Sequence, residues 1–307
     1  MTEPRMQPLG FAQNLAVRGL IGGAKLLPFR WRVPFLGWLM RRIVGPLAGY
    51  RARARENLAL IWPDLPERER RRIADASLDN AGRTLIENYS TADLLARGAQ
   101  TEPAGPGLQA LVAAQAAGRP VILMTGHFGN YEAGRAALVA RGYSIGGLYR
   151  PMKNRHFNTH YVRTMEAFGG PVFPQGRAGT SGFVRHLKAG GILVLLFDQQ
   201  APGEWIDFLG QPAQTAISAA QLALRYDAEL IPFYATRQPD GLTFQVDLEA
   251  PVPHSDALQM TEALTRSLEA RVEAHPGQWF WIHRRWKGVP PRPQPDAGPA
   301  AEDRGRA

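Results

Sequence analysis

The stretch VILMTGHFGNYE, residues 121–132, sets an apolar run before one histidine, His127, and, five positions on, one glutamate, Glu132. On a continuous helix five residues turn through about 500°, leaving the two side chains about 140° apart and out of reach. The residue types indicate a change of structure between them. VILMTG reads as a buried strand, Gly126 and Gly129 permit a tight turn, and a helix is expected from near Asn130. His127 then stands at the carboxyl end of a strand and Glu132 in a first helical turn, the edge where α/β sheets place their sites. There a carboxylate can fix one imidazole nitrogen and leave the other free as a base. The helix N-terminus adds unpaired N–H groups for an anion or oxyanion. The residues alone leave a plainer reading open, two polar groups bordering a buried strand.

Other patterns fail on context. GYSIG, residues 142–146, fits G-x-S-x-G, which needs a strand before the serine and a helix after it. Ser144 has the reverse order. HFNTH puts His156 and His160 one turn apart, but it lacks the glutamate of H-E-x-x-H and a third ligand. The chain has no P-loop pattern, no G-x-G-x-x-G fingerprint and no cysteine, so disulfides, thiolate metal sites and a cysteine nucleophile are excluded. A base without a nucleophilic side chain points to a substrate that brings its own nucleophile. His127 would deprotonate a bound hydroxyl or amine for direct attack on an activated acyl group, with no cofactor or metal required.

These residues need a scaffold, and 307 residues suffice to bury a sizeable core. Strand patterns (PVILMTG, YSIGGLYR, ILVLLFDQQ, LIPFYATRQ, LTFQVDLEA) alternate with helical ones, which indicates an α/β architecture with a mixed central sheet flanked by helices. Residues 201–214 read as a loop, and Thr215 as the N-cap of the helix that follows. Three parts are expected: a basic apolar segment at 1–55, an α/β domain at 56–287, and a disordered tail at 288–307 rich in Pro and Gly.

The net charge of +9 is uneven, since residues 1–55 hold ten basic side chains and one acid. That segment also carries Leu, Phe and Trp throughout. Arg18, Lys25, Arg30 and Arg32 interrupt it before it reaches the roughly 20 apolar residues of a spanning helix. A cleaved secretory signal is not expected, because no short apolar core ends in a small-residue site. Helices lying in a membrane interface fit this pattern better than a water-facing hairpin does. Nucleic acid is not an expected partner, since the basic excess sits among apolar residues rather than along a polar groove.

Taken in order, GHFGNYE, LYRPMKNRHFN, FDQQ, FLGQPAQTA and WFWIHRRWK resemble the late acyltransferases of lipid A biosynthesis, the lauroyl and myristoyl transferases, over roughly residues 10–287. The resemblance implies a glycerolipid-acyltransferase-like fold. It implies transfer of a fatty acyl chain, usually from acyl carrier protein, to a hydroxyl of an acylated glucosamine disaccharide, the lipid A precursor. The place would be the phospholipid surface of the inner membrane, on its cytoplasmic face. His127 carries over as general base and Glu132 as its partner. Arg150 would hold a phosphate or oxyanion, with Asp198 orienting it, and Arg284, Arg285 and Lys287 would hold phosphate or the acidic carrier. The alternative acceptors are a lysophospholipid or another glycolipid. Arg18 and Lys25 depart from the uninterrupted N-terminal membrane helix of many members.

Overall fold

The computed structural model describes residues 8–152 and 154–288, so nearly all of the expected tail lies outside the described residues. Nine strands occur there: β1 (Pro103–Ala104), β2 (Val121–Thr125), β3 (Ile145–Tyr149), β4 (Val172–Pro174), β5 (Ile192–Leu196), β6 (Glu204–Phe208), β7 (Gln211–Thr215), β8 (Glu229–Arg237) and β9 (Phe244–Leu248). Seven form one sheet in the order β1-β9-β8-β2-β5-β3-β4, and β6 and β7 make a separate antiparallel hairpin. Within the large sheet only the β8–β9 pair is antiparallel. The expected α/β class is therefore present, and its mixed sheet is dominated by parallel pairs.

β2 is the middle strand and every residue of it is buried. Its side chains alternate between two cores, as a period of two demands. Val121 and Leu123 pack with Leu138, Phe168 and Phe233 on one face. Ile122 and Met124 pack with Leu187, Leu264 and Met260 on the other. Helices cover both faces, and for that reason β2 reads as an unbroken apolar run rather than an alternating one.

Two sequence expectations are corrected. Residues 201–214 are largely the β6–β7 hairpin, in which Ile206 and Ala213 face each other and are buried. Thr215 ends β7 and is fully buried, and the next helix starts at Ser218 behind Ile217 without a side-chain cap. The Thr215 hydroxyl bonds within the protein instead, donating to the Ala213 carbonyl. A turn-rich sequence with Pro212 and Gly210 hides a hairpin whose alternation spans only two buried positions.

Towards the N-terminus, helix Phe29–Leu39 lies against helix Glu67–Asn88. The approach is close at Gly82, where a Cβ would come 2.3 Å from the Leu36 carbonyl oxygen. The helix Pro8–Lys25 precedes it. No described helix is long and apolar enough to cross a membrane.

Gly129 decides how the strand-to-helix turn after β2 meets the rest of the sheet. Its φ is +55°, and a Cβ there would stand 1.9 Å from the Ala235 carbonyl oxygen on β8. Gly129→Ala combines left-handed strain with a backbone collision. It should cost about 2–4 kcal/mol of stability in urea denaturation. A loss below half a kcal/mol would mean that the turn and β8 move apart easily.

Candidate active site

The register of two parallel strands builds the site. β2 pairs with β5 such that Thr125 lies opposite Leu196, and each chain then runs two residues further, to His127 and to Asp198. The Phe197 N–H donates to the Thr125 carbonyl at 3.2 Å, continuing the ladder past the strand ends. The two side chains meet there. His127 Nδ1 lies 2.8 Å from Asp198 Oδ1, and the His127 backbone N–H donates to Oδ2 at 2.7 Å. Trp279 Nε1–H donates to the same Oδ2 at 2.9 Å.

Asp198 is only 3% exposed. Burial pushes its carboxyl up, but the neighbouring His127, its two bonds and the Trp279 bond outweigh this and hold the pKa down at about 2. An ionised carboxylate only accepts, so Nδ1 carries the hydrogen of that bond. The Nε2 lone pair then points into open space and takes a hydrogen bond from the Gln199 side-chain amide at 3.2 Å. The His127 side chain keeps 29% of its surface exposed. Beside it lies a cavity of about 190 Å³ lined by Asn80, Thr84, Leu85, Tyr131, Trp279 and Phe280 among others.

The structure does not bring Glu132 to His127. Among the described residues the Glu132 carboxylate bonds Arg135, at 3.1 Å, and both are buried. Burial raises the Glu132 pKa, with Arg135 opposing. The physical reason is the cap: Asn130 closes the helix by accepting the Glu132 N–H at 3.1 Å. From that first turn the glutamate reaches along its own helix, one turn on to Arg135.

Nor does Asp198 orient Arg150. Its oxygens are taken by His127 and Trp279, while Arg150 stands exposed just past β3 with no bond to Asp198 among the described residues. Arg285 is a further correction. It is 1% exposed and donates to the Gln199 carbonyl, the Gln214 carbonyl and the Thr215 hydroxyl, with its guanidinium over the Phe208 ring. Burial lowers its pKa to about 10, with Asp198 opposing. It braces the site from inside instead of facing a substrate. His283 accepts the Gln200 N–H at 3.1 Å and the Lys287 carbonyl accepts from the Gln200 amide at 2.9 Å. HRRWK is thus a strap across FDQQ. Arg284 and Lys287 are exposed and line a surface cleft of about 410 Å³ with Arg53 and Glu56.

Several supporting residues escaped the sequence reading. Ser77, Asn80, Thr84 and Glu87 recur at spacings of three and four along helix Glu67–Asn88, a polar stripe on one face. Asn80 donates to the Gly129 carbonyl at 3.0 Å and Thr84 to the same oxygen at 3.1 Å. Glu87 accepts Asn130 Nδ2–H at 2.8 Å and is gripped by both terminal nitrogens of Arg237. Gln278 closes the other side, its carbonyl accepting the Gly129 N–H at 3.0 Å. Phe280 N–H donates to the His127 carbonyl at 3.0 Å, and Phe128 bridges to Trp279 as a single antiparallel step. The stripe and the late aromatic segment together hold the histidine turn from two sides.

Residues 7–288 match the family model described as bacterial lipid A biosynthesis acyltransferase. The chain belongs to that family. It is 26% identical to the lipid A biosynthesis lauroyltransferase of Escherichia coli over 251 residues, 77% of this chain and 80% of that protein. It is 24% identical to a lipid A biosynthesis acyltransferase of Haemophilus influenzae, covering 83% of this chain and 81% of that one. A phosphatidylinositol mannoside acyltransferase of Mycobacterium tuberculosis is 26% identical, covering 76% of each chain. In this acyltransferase no described cluster of His, Asp and Glu has the makings of a metal site.

The depressed pKa of Asp198 has a measurable consequence. A carboxylate whose folded value of about 2 lies below its ordinary 3.8 adds stability that is present above pH 3.8 and is lost as pH falls through 2. Asp198→Asn should therefore be less stable than wild type at neutral pH, by roughly 1–3 kcal/mol. The gap should narrow below about pH 3, as the wild-type carboxylate protonates. Urea titrations at neutral and acidic pH measure it, and an unchanged gap would exclude the charge as its source.

Proposed function

We propose that this acyltransferase moves a fatty acyl chain from an acyl thioester, carried by acyl carrier protein, to a hydroxyl of an acylated glucosamine disaccharide. One observation carries the reading: the ionised Asp198 holds Nδ1, so Nε2 of His127 is a lone pair at the cavity edge. The acceptor hydroxyl displaces the Gln199 amide and gives its proton to Nε2 while its oxygen attacks the thioester carbonyl. The tetrahedral intermediate expels the carrier thiolate, which takes the proton back from Nε2–H, leaving an ester and a thiol. The serine and threonine hydroxyls at the cavity, those of Ser77 and Thr84, donate to backbone carbonyls, consistent with direct transfer. Glu132 acts at one remove, anchoring the start of the helix through Arg135. Arg150, at the end of the strand beside β5, meets an anionic group of the substrate, and Arg284 with Lys287 and Arg53 meets the acidic carrier. The relationship to the phosphatidylinositol mannoside acyltransferase favours one second reading, the same chemistry on another glycolipid acceptor.

His127→Ala should abolish transfer in a folded protein. Asp198→Ala should lower kcat/KM by roughly 10²–10⁴-fold as an orienting carboxylate, and Glu132→Gln by clearly less. Turnover of purified variants with acyl donor and disaccharide acceptor in detergent, read by mass spectrometry, measures this. Wild-type rates in His127→Ala would end the mechanism, and product only from a mannosyl lipid would favour the second reading.

The same proposal places the enzyme on the cytoplasmic face of the inner membrane, lying in the interface. Support comes from large apolar side chains exposed along the N-terminal helices: Leu15, Leu20, Trp31, Phe35 and Trp38, with Leu26 and Leu47 more than 80% exposed. Exposed apolar side chains in this number suit the headgroup boundary, where tryptophan is favoured. Leu20→Glu, Leu26→Glu and Trp31→Glu should each weaken vesicle flotation about tenfold. High salt should release the wild type only in part, because apolar burial is not screened. Complete release by salt would show a purely electrostatic attachment.

A further inference from the structure

Arg18 and Lys25, which break the apolar run of the first helix, come together with Arg163 around one cleft. It measures about 620 Å³ and lies between helix Pro8–Lys25, helix Arg155–Glu166 and the chain at Tyr89–Leu95. Seven residues apart, Arg18 and Lys25 share a helical face, and buried Asn14 and Ile21 lie on it too. None of the three cations has a carboxylate partner among the described residues: Asp93, on the neighbouring helix, is taken by Arg32, and Glu166 joins none of them. At the cleft stands His160, stacked on Tyr89 with ring centroids 5.3 Å apart and planes 11° apart. Its Nε2 is buried and has no hydrogen-bond partner. Burial lowers the His160 pKa, and Arg18, Lys25 and Arg163 lower it further. Three cations without a carboxylate partner line one cleft with His160 and repel one another until an anion arrives.

We infer that this cleft binds a phosphate ester on the head group of the acceptor lipid, with Arg18, Lys25 and Arg163 as its cations and His160 Nε2 as a further hydrogen-bonding group. This rests on the acyl-transfer reading above and extends it to a second contact on the acceptor. A phosphate offers up to two charges and several acceptor oxygens, which matches this donor set better than a single carboxylate does. The cleft is enclosed between two helices and the chain at Tyr89–Leu95, which suits a head group entering between them. Its position fits as well: Asn88 lines the cavity beside His127, and the next residue, Tyr89, lines the basic cleft. The two cavities thus flank the same end of helix Glu67–Asn88, the arrangement that an acceptor presenting a hydroxyl to His127 and a phosphate to the cations requires. The two charges in the first helix thus become recognition groups.

The test uses the full chain in detergent with Arg18→Gln/Lys25→Gln and, separately, Arg163→Gln. With donor saturating, KM for the phosphorylated acceptor should rise about tenfold or more for each variant, with kcat within about twofold of wild type. On acceptor stripped of phosphate by a phosphatase, wild type and variants should converge. A second readout needs no turnover: the His160 imidazole NMR signal, assigned by its loss in His160→Gln, should shift with glucose 1-phosphate and not with glucose. That shift should vanish in the double variant. If wild type transfers to no acceptor, the functional reading fails while the NMR arm still decides the site. An unchanged acceptor KM, a rise confined to the donor's KM, lost binding to phosphatidylglycerol vesicles at unchanged KM, or no phosphate-dependent shift would each overturn the inference.

Discussion

One buried carboxylate organises this site. Asp198 accepts three N–H groups, from the His127 backbone, the His127 ring and the Trp279 indole. Those donors belong to the end of β2 and to a segment more than 150 positions later in the chain. A charge taken out of water persists only when such bonds replace its hydration. The sheet, the histidine turn and the late aromatic segment are thereby fixed to one another through a single group. Loosening any of the three would leave an unsatisfied charge in the interior, so each constrains the other two.

The turn between β2 and its helix is correspondingly over-determined. Gly129 gives its carbonyl to Asn80 and Thr84 and its N–H to the Gln278 carbonyl, and Asn130 gives its N–H to the Ala235 carbonyl on β8. A reactive imidazole gains from this, because small displacements of a base are expensive in rate. Polar bonds supply rigidity here beside the packing of buried Phe128, and the stripe on helix Glu67–Asn88 that makes them consists of Ser, Asn, Thr and Glu.

How much of this was readable beforehand follows from the range of each interaction. The strand ahead of His127, the turn glycines and the helix after Asn130 depend on neighbours in sequence, and local pattern reveals them. That His127 and Asp198 lie at strand ends was equally readable. Their pairing was not, because it depends on the β2–β5 register, which no local pattern encodes. The same limit explains Glu132, five residues from His127 yet turned to Arg135, and Arg285, whose burial follows from a hairpin the sequence shows only faintly. The polar stripe at positions 77, 80, 84 and 87 did have a helical period. Apolar spacing is the stronger signal in the same helix and masks it.

Three carboxylates are buried near the turn, and their partners separate support from chemistry. Glu87 is closed by Arg237, whose side chain is 7% exposed, and Glu132 by Arg135, whose side chain is fully buried. In such pairs each carboxylate meets a buried guanidinium inside the protein, and neither reaches His127. Asp198 differs in the partner it holds, an imidazole that reaches from a 2% exposed carboxylate out to 29% exposure. Only in this pair does one end stay buried and charged while the other meets a cavity with a lone pair held by nothing but the Gln199 amide. A buried charge alone marks structure as often as function. What marks this one is that its effect is carried outward, through a ring whose far nitrogen has nothing stronger than a side-chain amide to hold it.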